Sequence, residues 1–272
     1  MKDAVGIDVI ILSYAKDETL LAQTRHAIDT LVLSEDPVAI SFNIVVIESN
    51  KSLKPFQYEH TTTLYTDVPF GYNRYMNIGM KATSNPYVCL CNNDLVFHKN
   101  WASNILHQMS LDKDLGSVSP YCEIFHKDTV KDDGQNIIST INGILIGWCI
   151  FFKRENLTIT GYLDEKFIFW YADNDYGNTM AKYKIKHALV TTSKVTHLGS
   201  KTHTLLSNKE LFDYTYGQFL YYDLKWNNKS ALQYHTRRAL LPLFKYVYLN
   251  RVKSKGFMFS CRLLLKLYGG VR

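Results

Sequence analysis

The sequence has no long hydrophobic run and no closely spaced cysteine pair. Its first apolar stretch, IDVIILSY at residues 7–14, is too short for a membrane-spanning helix and is followed at once by AKDE, unlike a signal peptide. None of the five cysteines forms a C-x-x-C pair, so we expect structural thiols in a reducing compartment rather than zinc ligands or disulfides. These absences favour an intracellular protein.

Acidic residues are missing from the C-terminal end of the chain. From Leu224 to Arg272 there are 11 Lys and Arg residues and no Asp or Glu. Residues 1–200 carry 18 basic and 22 acidic side chains, net −4, whereas residues 201–272 carry 13 and 3, net +10. Because a solvated helical surface usually mixes both signs, the sequence predicts an anionic partner for this end.

Apolar runs alternate with helical patterns over the first half of the chain. The segments at 7–14, 42–49 and 86–91 have the continuous apolar character of buried strands, and helical spacing follows each of them. This alternation predicts an α/β domain over residues 1–207, with a mostly parallel sheet covered by helices on both faces. Residues 208–272 are predicted to form a helical basic region in which Pro242 kinks or divides one helix.

Polar residues follow each predicted strand. The three polar segments are Ser13-Tyr14, Glu48-Ser49-Asn50 and Asn92-Asn93-Asp94. Because ligands of parallel sheets bind beyond the carboxyl ends of the strands, we expect these segments to lie together. A turn accounts for the asparagines, but a carboxylate held at a strand end suits a hard cation. The alternative for Asp94 is a helix cap.

The resemblance to a known family depends on the order of six segments along the chain. They are ILSYAKDE, VVIESN, FGYNRYMNIGMKA, VCLCNND, GYLDEKFIFWYADND and VTHLGS. Together they resemble the family-2 glycosyltransferases of the GT-A fold over about residues 7–200. The fourth segment corresponds to that family's D-x-D motif and the fifth to its E-D-x-D-like cluster, although Asn92 and Ala172 replace the first acidic residue of each. The chain also looks like versions carried by large tailed bacteriophages, which implies the host cytoplasm as its location.

The resemblance implies a reaction and a metal. A sugar would pass from a nucleotide diphosphate, expected to be a uridine nucleotide, to an acceptor hydroxyl with inversion at the sugar carbon. Mg²⁺ or Mn²⁺ would be held by Asp94 and His197, and the imidazole would favour Mn²⁺. The alternative for His197 is a strand-end histidine bonded to the backbone. Asp173 matches the family's catalytic base, and Asp175 is the second candidate or a cap of the following helix.

Nucleotide binding is assigned to residues on the same segments. The predicted donor-binding residues are Ser13, Tyr14, Glu48, Arg74, Asn77 and Asn93. Glu48 would accept hydrogen bonds from uracil or ribose, and Tyr14 would stack on the base. Arg74 and Asn77 lie on the helix that Gly71 opens, near the expected phosphates.

Aromatic residues are crowded around the acidic cluster and along the tail. Trp148, Trp170 and Tyr171 are predicted to wall the sugar and acceptor pocket, unless Trp148 belongs to the core. The mixture of aromatic and basic residues in the tail suits DNA backbones and unstacked bases. The resemblance to phage-encoded versions, together with the missing acidic residues, implies DNA carrying a hydroxymethylated base as the acceptor.

Three other interpretations of the chain stay open. The tail equally suits an anionic membrane surface with a glycan or lipid-linked acceptor, or a helical appendage packed on the domain. The non-enzyme alternative is a nucleotide-sugar binding module, which would not need Asp173, Asp175 and His197 together.

Overall fold

The computed structural model describes residues 4–127, 130, 137–138, 145, 147–199, 207, 212–227 and 230–255. The chain divides into two compact units. We call Met1–Ile168 with Ala172–Ser200 the sheet unit, and Phe169–Tyr171 with Lys201–Arg272 the helical unit.

The sheet unit contains a nine-stranded mixed sheet. Its strands are β1 Val5–Ser13, β2 Ile40–Glu48, β3 Thr62–Leu64, β4 Tyr87–Asn92, β5 Leu95–Phe97, β6 Leu115–Tyr121, β7 Ile137–Ile138, β8 Cys149–Lys153 and β9 Lys186–His197. Eight of them lie in the order β3-β2-β1-β4-β8-β6-β9-β5, and β7 pairs with β9. Neighbours among β3, β2, β1 and β4 are parallel, as are β6 and β9, whereas β5, β7 and β8 pair antiparallel with their neighbours. The predicted α/β class with a mostly parallel sheet is confirmed.

Helices cover both faces of this sheet. Those of the sheet unit are α1 Glu18–Val32, α2 Tyr72–Lys81, α3 Trp101–Leu111, α4 Glu123–His126, α5 Leu157–Thr160 and α6 Ala172–Lys182. Helices α1 and α3 contribute to one apolar cluster and α2 and α6 to another. Alternate residues of β1 join the two clusters, with Val9 and Ile11 on one face and Ile10 on the other. Burial on both faces explains why the strands read as continuous apolar runs.

Close packing brings α2 directly onto β1. A side chain at Gly79 would place its Cβ 2.5 Å from the Ile10 side chain, so only glycine fits at this contact. Helix α2 is thereby fixed over the middle of the strand whose carboxyl end carries Ser13. The helix itself begins after Gly71, as the sequence predicts.

A buried ion pair closes the amino-terminal edge of the sheet. The Asp8 carboxylate is fully buried on β1, and the Arg154 guanidinium lies 2.6 Å from it. Asn43 and Asn85 donate further hydrogen bonds to the same carboxylate, at 2.7 to 2.8 Å. The charge is therefore both paired and hydrogen-bonded, as a buried carboxylate requires.

The helical unit has a small core of its own. A π-helical turn at Asp213–Gly217 leads into α7, Gln218–Trp226, and then α8, Ala231–Lys255. Phe212 and Tyr248 are its buried centre. Helix α8 runs through Pro242 rather than dividing there. Within the described part of the chain, no helix combines the length and the apolar character needed to span a bilayer.

Candidate functional site

Three strand ends meet at the carboxyl edge of the sheet. Ser13 at the end of β1 pairs with Glu48 at the end of β2, and Leu12 pairs with Asn92 at the end of β4. The polar segments that follow these strands are therefore neighbours, because parallel strands end at the same edge.

Glu48 organises the loops at this edge. Its carboxylate is fully buried and accepts hydrogen bonds from the amides of Ala15 at 3.2 Å and Asn50 at 2.7 Å, and from the Tyr58 hydroxyl at 3.0 Å. Burial raises the pKa of Tyr58 to about 12, and the negative charge of Glu48 contributes, so the hydroxyl keeps the proton that it donates. Glu48 thus sits within the protein's own hydrogen-bond network.

Ser13 and Asn93 belong to the same network. The Ser13 hydroxyl is fully buried and lies 3.0 Å from the Thr24 hydroxyl and 3.2 Å from that of Tyr58. Asn93 donates to Thr24 at 2.9 Å. Tyr14, by contrast, is 47% exposed, which leaves its ring accessible to a ligand. Sequence reasoning missed Thr24 and Tyr58, which have no motif of their own.

Asp94 and His197 are brought together by a short antiparallel pairing. Strand β5 begins directly after Asp94 and pairs with the end of β9, so that Leu95 lies opposite His197. The Leu198 amide also donates to the Asp94 carbonyl at 2.9 Å. As a result, His197 Nε2 lies 3.1 Å from Asp94 Oδ2, with the two side chains 11% and 1% exposed.

The two side chains approach without forming a hydrogen bond. Both carboxylate oxygens of Asp94 and both ring nitrogens of His197 are buried and lack a hydrogen-bond partner. Buried polar atoms are nearly always satisfied. Beyond the ion-pair approach of Oδ2 to Nε2, these four atoms are therefore available to bind a ligand. Two ligand atoms at about 2.1 Å from one octahedral cation are about 3.0 Å apart. The observed 3.1 Å separation therefore fits a divalent cation between them.

The structure does not support Asp94 as a helix cap or His197 as a histidine whose ring is bonded to the backbone. Helix α3 is preceded by Asn100 as its N-cap, not by Asp94. Within the described part of the chain, the His197 ring makes no hydrogen bond to the backbone, and the His197 amide donates to Cys122 Sγ at 3.4 Å.

Aromatic rings enclose the His197 imidazole. Trp148 stacks on it with ring centres 5.5 Å apart and planes 8° from parallel, and Phe125 of α4 approaches it at 5.0 Å. Trp148 is buried, yet its indole Nε1 has no hydrogen-bond partner. This N–H is a fifth orphan next to the Asp94–His197 pair, and it can donate to an oxygen of a bound ligand. Phe125 carries no signal that sequence reasoning could use.

Asp173 is held at the start of α6 by a neighbouring glycine. Its carboxylate accepts from the Gly147 amide at 3.3 Å and from the Asn174 amide at 2.9 Å. The Tyr72 hydroxyl donates to the Gly147 carbonyl at 2.9 Å. A Cβ at Gly147 would lie 3.0 Å from that of Asp173, which is tighter than ordinary packing allows. Burial, together with nearby Cys91 and Asp173, raises the pKa of Tyr72, so this hydroxyl also stays protonated.

A continuous series of contacts joins these residues. Asp173 bonds to Gly147, the next residue Trp148 stacks on His197, and His197 meets Asp94. Asp175, two residues after Asp173, is buried. The structure therefore links the candidate base Asp173 to the candidate metal ligands Asp94 and His197 through Gly147 and Trp148.

Arg74 and Asn77 contact a segment that follows them by some ninety residues. Asn77 is buried and bonds to the Leu163 carbonyl at 2.8 Å and to the Glu165 carboxylate at 3.1 Å. Arg74 lies 3.3 Å from the same carboxylate. The hydrogen bond from Asn77, followed by that from Arg74, lowers the pKa of Glu165. Both side chains thus hold the GYLDE segment against α2.

Trp170 and Tyr171 belong to the helical unit. Trp170 is 40% exposed, and Tyr171 has a left-handed backbone with φ of 64°. The Tyr171 ring packs against Tyr222 and Phe219, with centres 5.2 and 5.9 Å apart. These contacts fix its ring within that unit.

Comparison with known proteins adds no further identification. No protein-family model matches the chain, and a search of curated proteins found no match either.

Proposed function

We propose that the protein is a metal-dependent glycosyltransferase of GT-A architecture, acting on a nucleotide-diphosphate sugar, with uridine as the expected nucleoside. The observation that carries the proposal is the pair of buried, mutually unbonded side chains Asp94 and His197 at the carboxyl edge of the sheet. One carboxylate and one imidazole suit Mn²⁺, with Mg²⁺ as the alternative. A binding-only module is the competing interpretation.

We assign a separate role in the proposed reaction to each residue at the carboxyl edge of the sheet. A divalent cation held by Asp94 and His197 would stabilise the negative charge of the departing diphosphate. Trp148 would donate its orphan indole N–H to a phosphate or sugar oxygen. Tyr14, exposed beside the Glu48 network, would stack on the nucleoside base. Glu48 would act indirectly, by fixing the loops that carry Tyr14 and Asn50.

Asp173 would serve as the base. It is half-buried and anchored by backbone amides, so its carboxylate is oriented without being neutralised by a cation. It would accept the proton of the acceptor hydroxyl as the bond to the diphosphate breaks, and the sugar carbon would be inverted by direct displacement. Asp175 is buried on the same helix and stays the second candidate.

The acceptor is proposed from the basic tail. We expect DNA with a hydroxymethylated base because residues 224–272 carry 11 positive charges and no negative one. The second candidate is a glycan or lipid-linked acceptor at an anionic membrane. It is favoured by three leucines on one side of α8, Leu232, Leu240 and Leu243, which are 43 to 77% exposed. Residues 256–272 of the tail lie outside the described part of the chain.

A donor-hydrolysis panel tests the proposed activity. Nucleotide sugars are incubated with Mn²⁺, with Mg²⁺ and with excess chelator, each with and without hydroxymethylated DNA. We expect turnover of at least one donor with metal and none with chelator. Calorimetric binding of a donor without turnover under every condition would instead support the binding module.

Paired binding measurements separate the two acceptors. If DNA is bound, affinity falls with salt, and Arg238→Gln flattens the log–log slope by about one unit for a lost phosphate contact. Arg237 is a poorer probe because it pairs with the buried Asp223 at 3.3 Å. If the membrane is bound, co-sedimentation with anionic vesicles exceeds DNA binding and is lost in Leu240→Ser with Leu243→Ser. If the protein binds neither DNA nor vesicles, the tail is a helical appendage packed on the domain.

A further inference from the structure

Three cysteine sulfur atoms converge inside the sheet. Cys89 and Cys91 lie on β4 and Cys149 begins β8, and all three side chains are fully buried. Their Sγ atoms are 3.3, 3.6 and 3.8 Å apart. No part of the proposed glycosyl transfer uses them.

Strand geometry explains why the three sulfurs meet. Cys89 and Cys91 are two residues apart, so their side chains leave β4 on the same face. Cys149 lies directly opposite Cys91 in the antiparallel pairing. The Asn92 amide donates to the Trp148 carbonyl at 2.9 Å, which marks that pair as hydrogen-bonded and the adjacent Cys91–Cys149 pair as the closer, non-hydrogen-bonded kind.

The distances match the edges of a metal–thiolate site. Three thiolates bound at about 2.3 Å to one tetrahedral zinc ion are about 3.8 Å apart. The observed separations reach this value and fall at most half an ångström below it, so the sulfurs need little movement to accept a cation. Burial raises the pKa of the Cys89 and Cys149 thiols, so metal binding has to displace their protons.

We propose that Cys89, Cys91 and Cys149 form a structural site for one thiophilic d¹⁰ cation of the Zn(II) class. Binding breaks the thiol S–H bonds, forms sulfur–metal bonds and releases the protons to solvent, with no change of oxidation state. Soft sulfur ligands select this class of ion, whereas the oxygen and nitrogen donors of Asp94 and His197 suit Mn²⁺ or Mg²⁺. The two sites would therefore hold different metals.

The position of the cluster gives the bound ion a mechanical role. Cys91 precedes Asp94 by three residues on the end of β4, and Cys149 directly follows Trp148. An ion shared by these strands would brace the backbone segments that carry Asp94 and Trp148. Because the sulfurs are fully buried, the ion is expected to enter as the chain folds.

Cadmium is the probe for this site, because its thiolate complexes absorb in the ultraviolet. The full-length chain is refolded with increasing Cd(II), and the charge-transfer absorbance and thermal midpoint are recorded. We expect absorbance that saturates at one Cd(II) per chain and a midpoint that rises with it. Cys149→Ser should lose the signal. Cys122→Ser, a buried cysteine outside the cluster, and Asp94→Asn should keep it.

The wild-type spectrum tests the proposed cation site even if a variant does not fold. Absence of thiolate absorbance in wild type, both on refolding with Cd(II) and on adding Cd(II) to the folded chain, would overturn the proposal. A signal retained by Cys149→Ser and lost by Cys122→Ser would overturn it as well. In either case the three thiols act only as small packing residues.

Discussion

Two buried aspartates lie near opposite edges of the same sheet and differ in every contact. Asp8, near the amino end of β1, has Arg154 at 2.6 Å and hydrogen bonds from Asn43 and Asn85. Asp94, beyond the carboxyl end of β4, has the imidazole of His197 at 3.1 Å, and within the described residues its carboxylate oxygens accept no hydrogen bond. A carboxylate with all its partners stabilises the fold, whereas one without them lowers stability unless a ligand arrives. The contacts of Asp8 stabilise the fold, whereas those of Asp94 leave its carboxylate available to the proposed cation.

Removing the partner of Asp8 should have the largest effect on stability. Arg154→Met leaves a buried charge without its counter-ion, which typically costs about 3–5 kcal/mol of unfolding free energy. Denaturant unfolding measures the loss. Lys51→Met is the matched control, because its partner Asp67 is exposed and such a surface pair contributes little to stability. Equal losses in the two variants would contradict the comparison.

Neutralising Asp94 should affect activity and leave stability intact. Asp94→Asn removes the charged ligand, and loss of several kcal/mol of charge stabilisation corresponds to about 10²–10³-fold in turnover. Without metal, the thermal midpoint should stay close to that of wild type, because asparagine keeps the shape of the side chain and can still approach His197. Mn²⁺ should raise the midpoint of wild type by mass action and not that of the variant. Full wild-type activity in excess chelator would defeat this interpretation.

The two acids of α6 should separate in kinetics. Asp173→Asn is expected to keep donor binding and lower kcat by roughly 10²-fold, as loss of a general base does. Asp175→Asn should lower kcat less, per mole of folded protein. Steady-state kinetics of both variants, with donor binding measured in parallel, provide the measurement. A greater kcat loss in the Asp175 variant would move the base to Asp175.

The last effect is absent at neutral pH, and it concerns a second hydrogen-bonded buried group inside the sheet unit. His187 bonds to Ser117 at 2.8 Å and Ser119 at 3.2 Å, with Tyr176 bonded to Ser117, and burial lowers the pKa of His187 to about 3. In the unfolded chain the His187 imidazole binds a proton near pH 6.5, whereas in the folded chain it stays neutral at that pH. The contribution of neutral His187 to the free energy of unfolding is therefore fully present above that pH. It falls by about 1.4 kcal/mol per pH unit as the pH decreases towards 3.

Denaturant midpoints between pH 7 and 4 test the His187 prediction. His187→Gln keeps a hydrogen-bonding side chain but cannot be protonated, so its stability should fall less steeply on acidification. Parallel curves for wild type and variant would show that other groups control the acid sensitivity.

Much of the sheet could be predicted because its strands are apolar throughout. Burial on both faces leaves long runs that no other element resembles, and the carboxyl-edge rule then places the polar segments. The direction of β8 could not be predicted, since antiparallel and parallel central strands have the same composition. Strand β5 has only three residues, Leu95–Phe97, yet its pairing with β9 is what brings Asp94 to His197.

The candidate site was predictable only where residues carry a motif. Asp94, Asp173 and His197 stand at recognisable positions, and the structure connects them. Tyr58, Thr24 and Phe125 have no local pattern, because their contacts depend on loops and helices that meet only in the folded chain. Glu48 is predicted from the sequence as a donor-binding residue, but the hydrogen bonds that it accepts within the protein depend on the folded chain.

Thr24 gives the hydrogen bonds of the carboxyl edge a fixed direction. Its hydroxyl donates its single proton to the Leu20 carbonyl at 3.1 Å, so it can only accept from Asn93 and Ser13. A serine at this position would preserve these hydrogen bonds, whereas an isosteric valine would remove the acceptor of Asn93 and one of the two hydroxyl partners of Ser13. For a protein engineer, the buried face of α1 is therefore a place from which to adjust the loops that follow β1 and β4 without changing Asp94, His197 or Asp173.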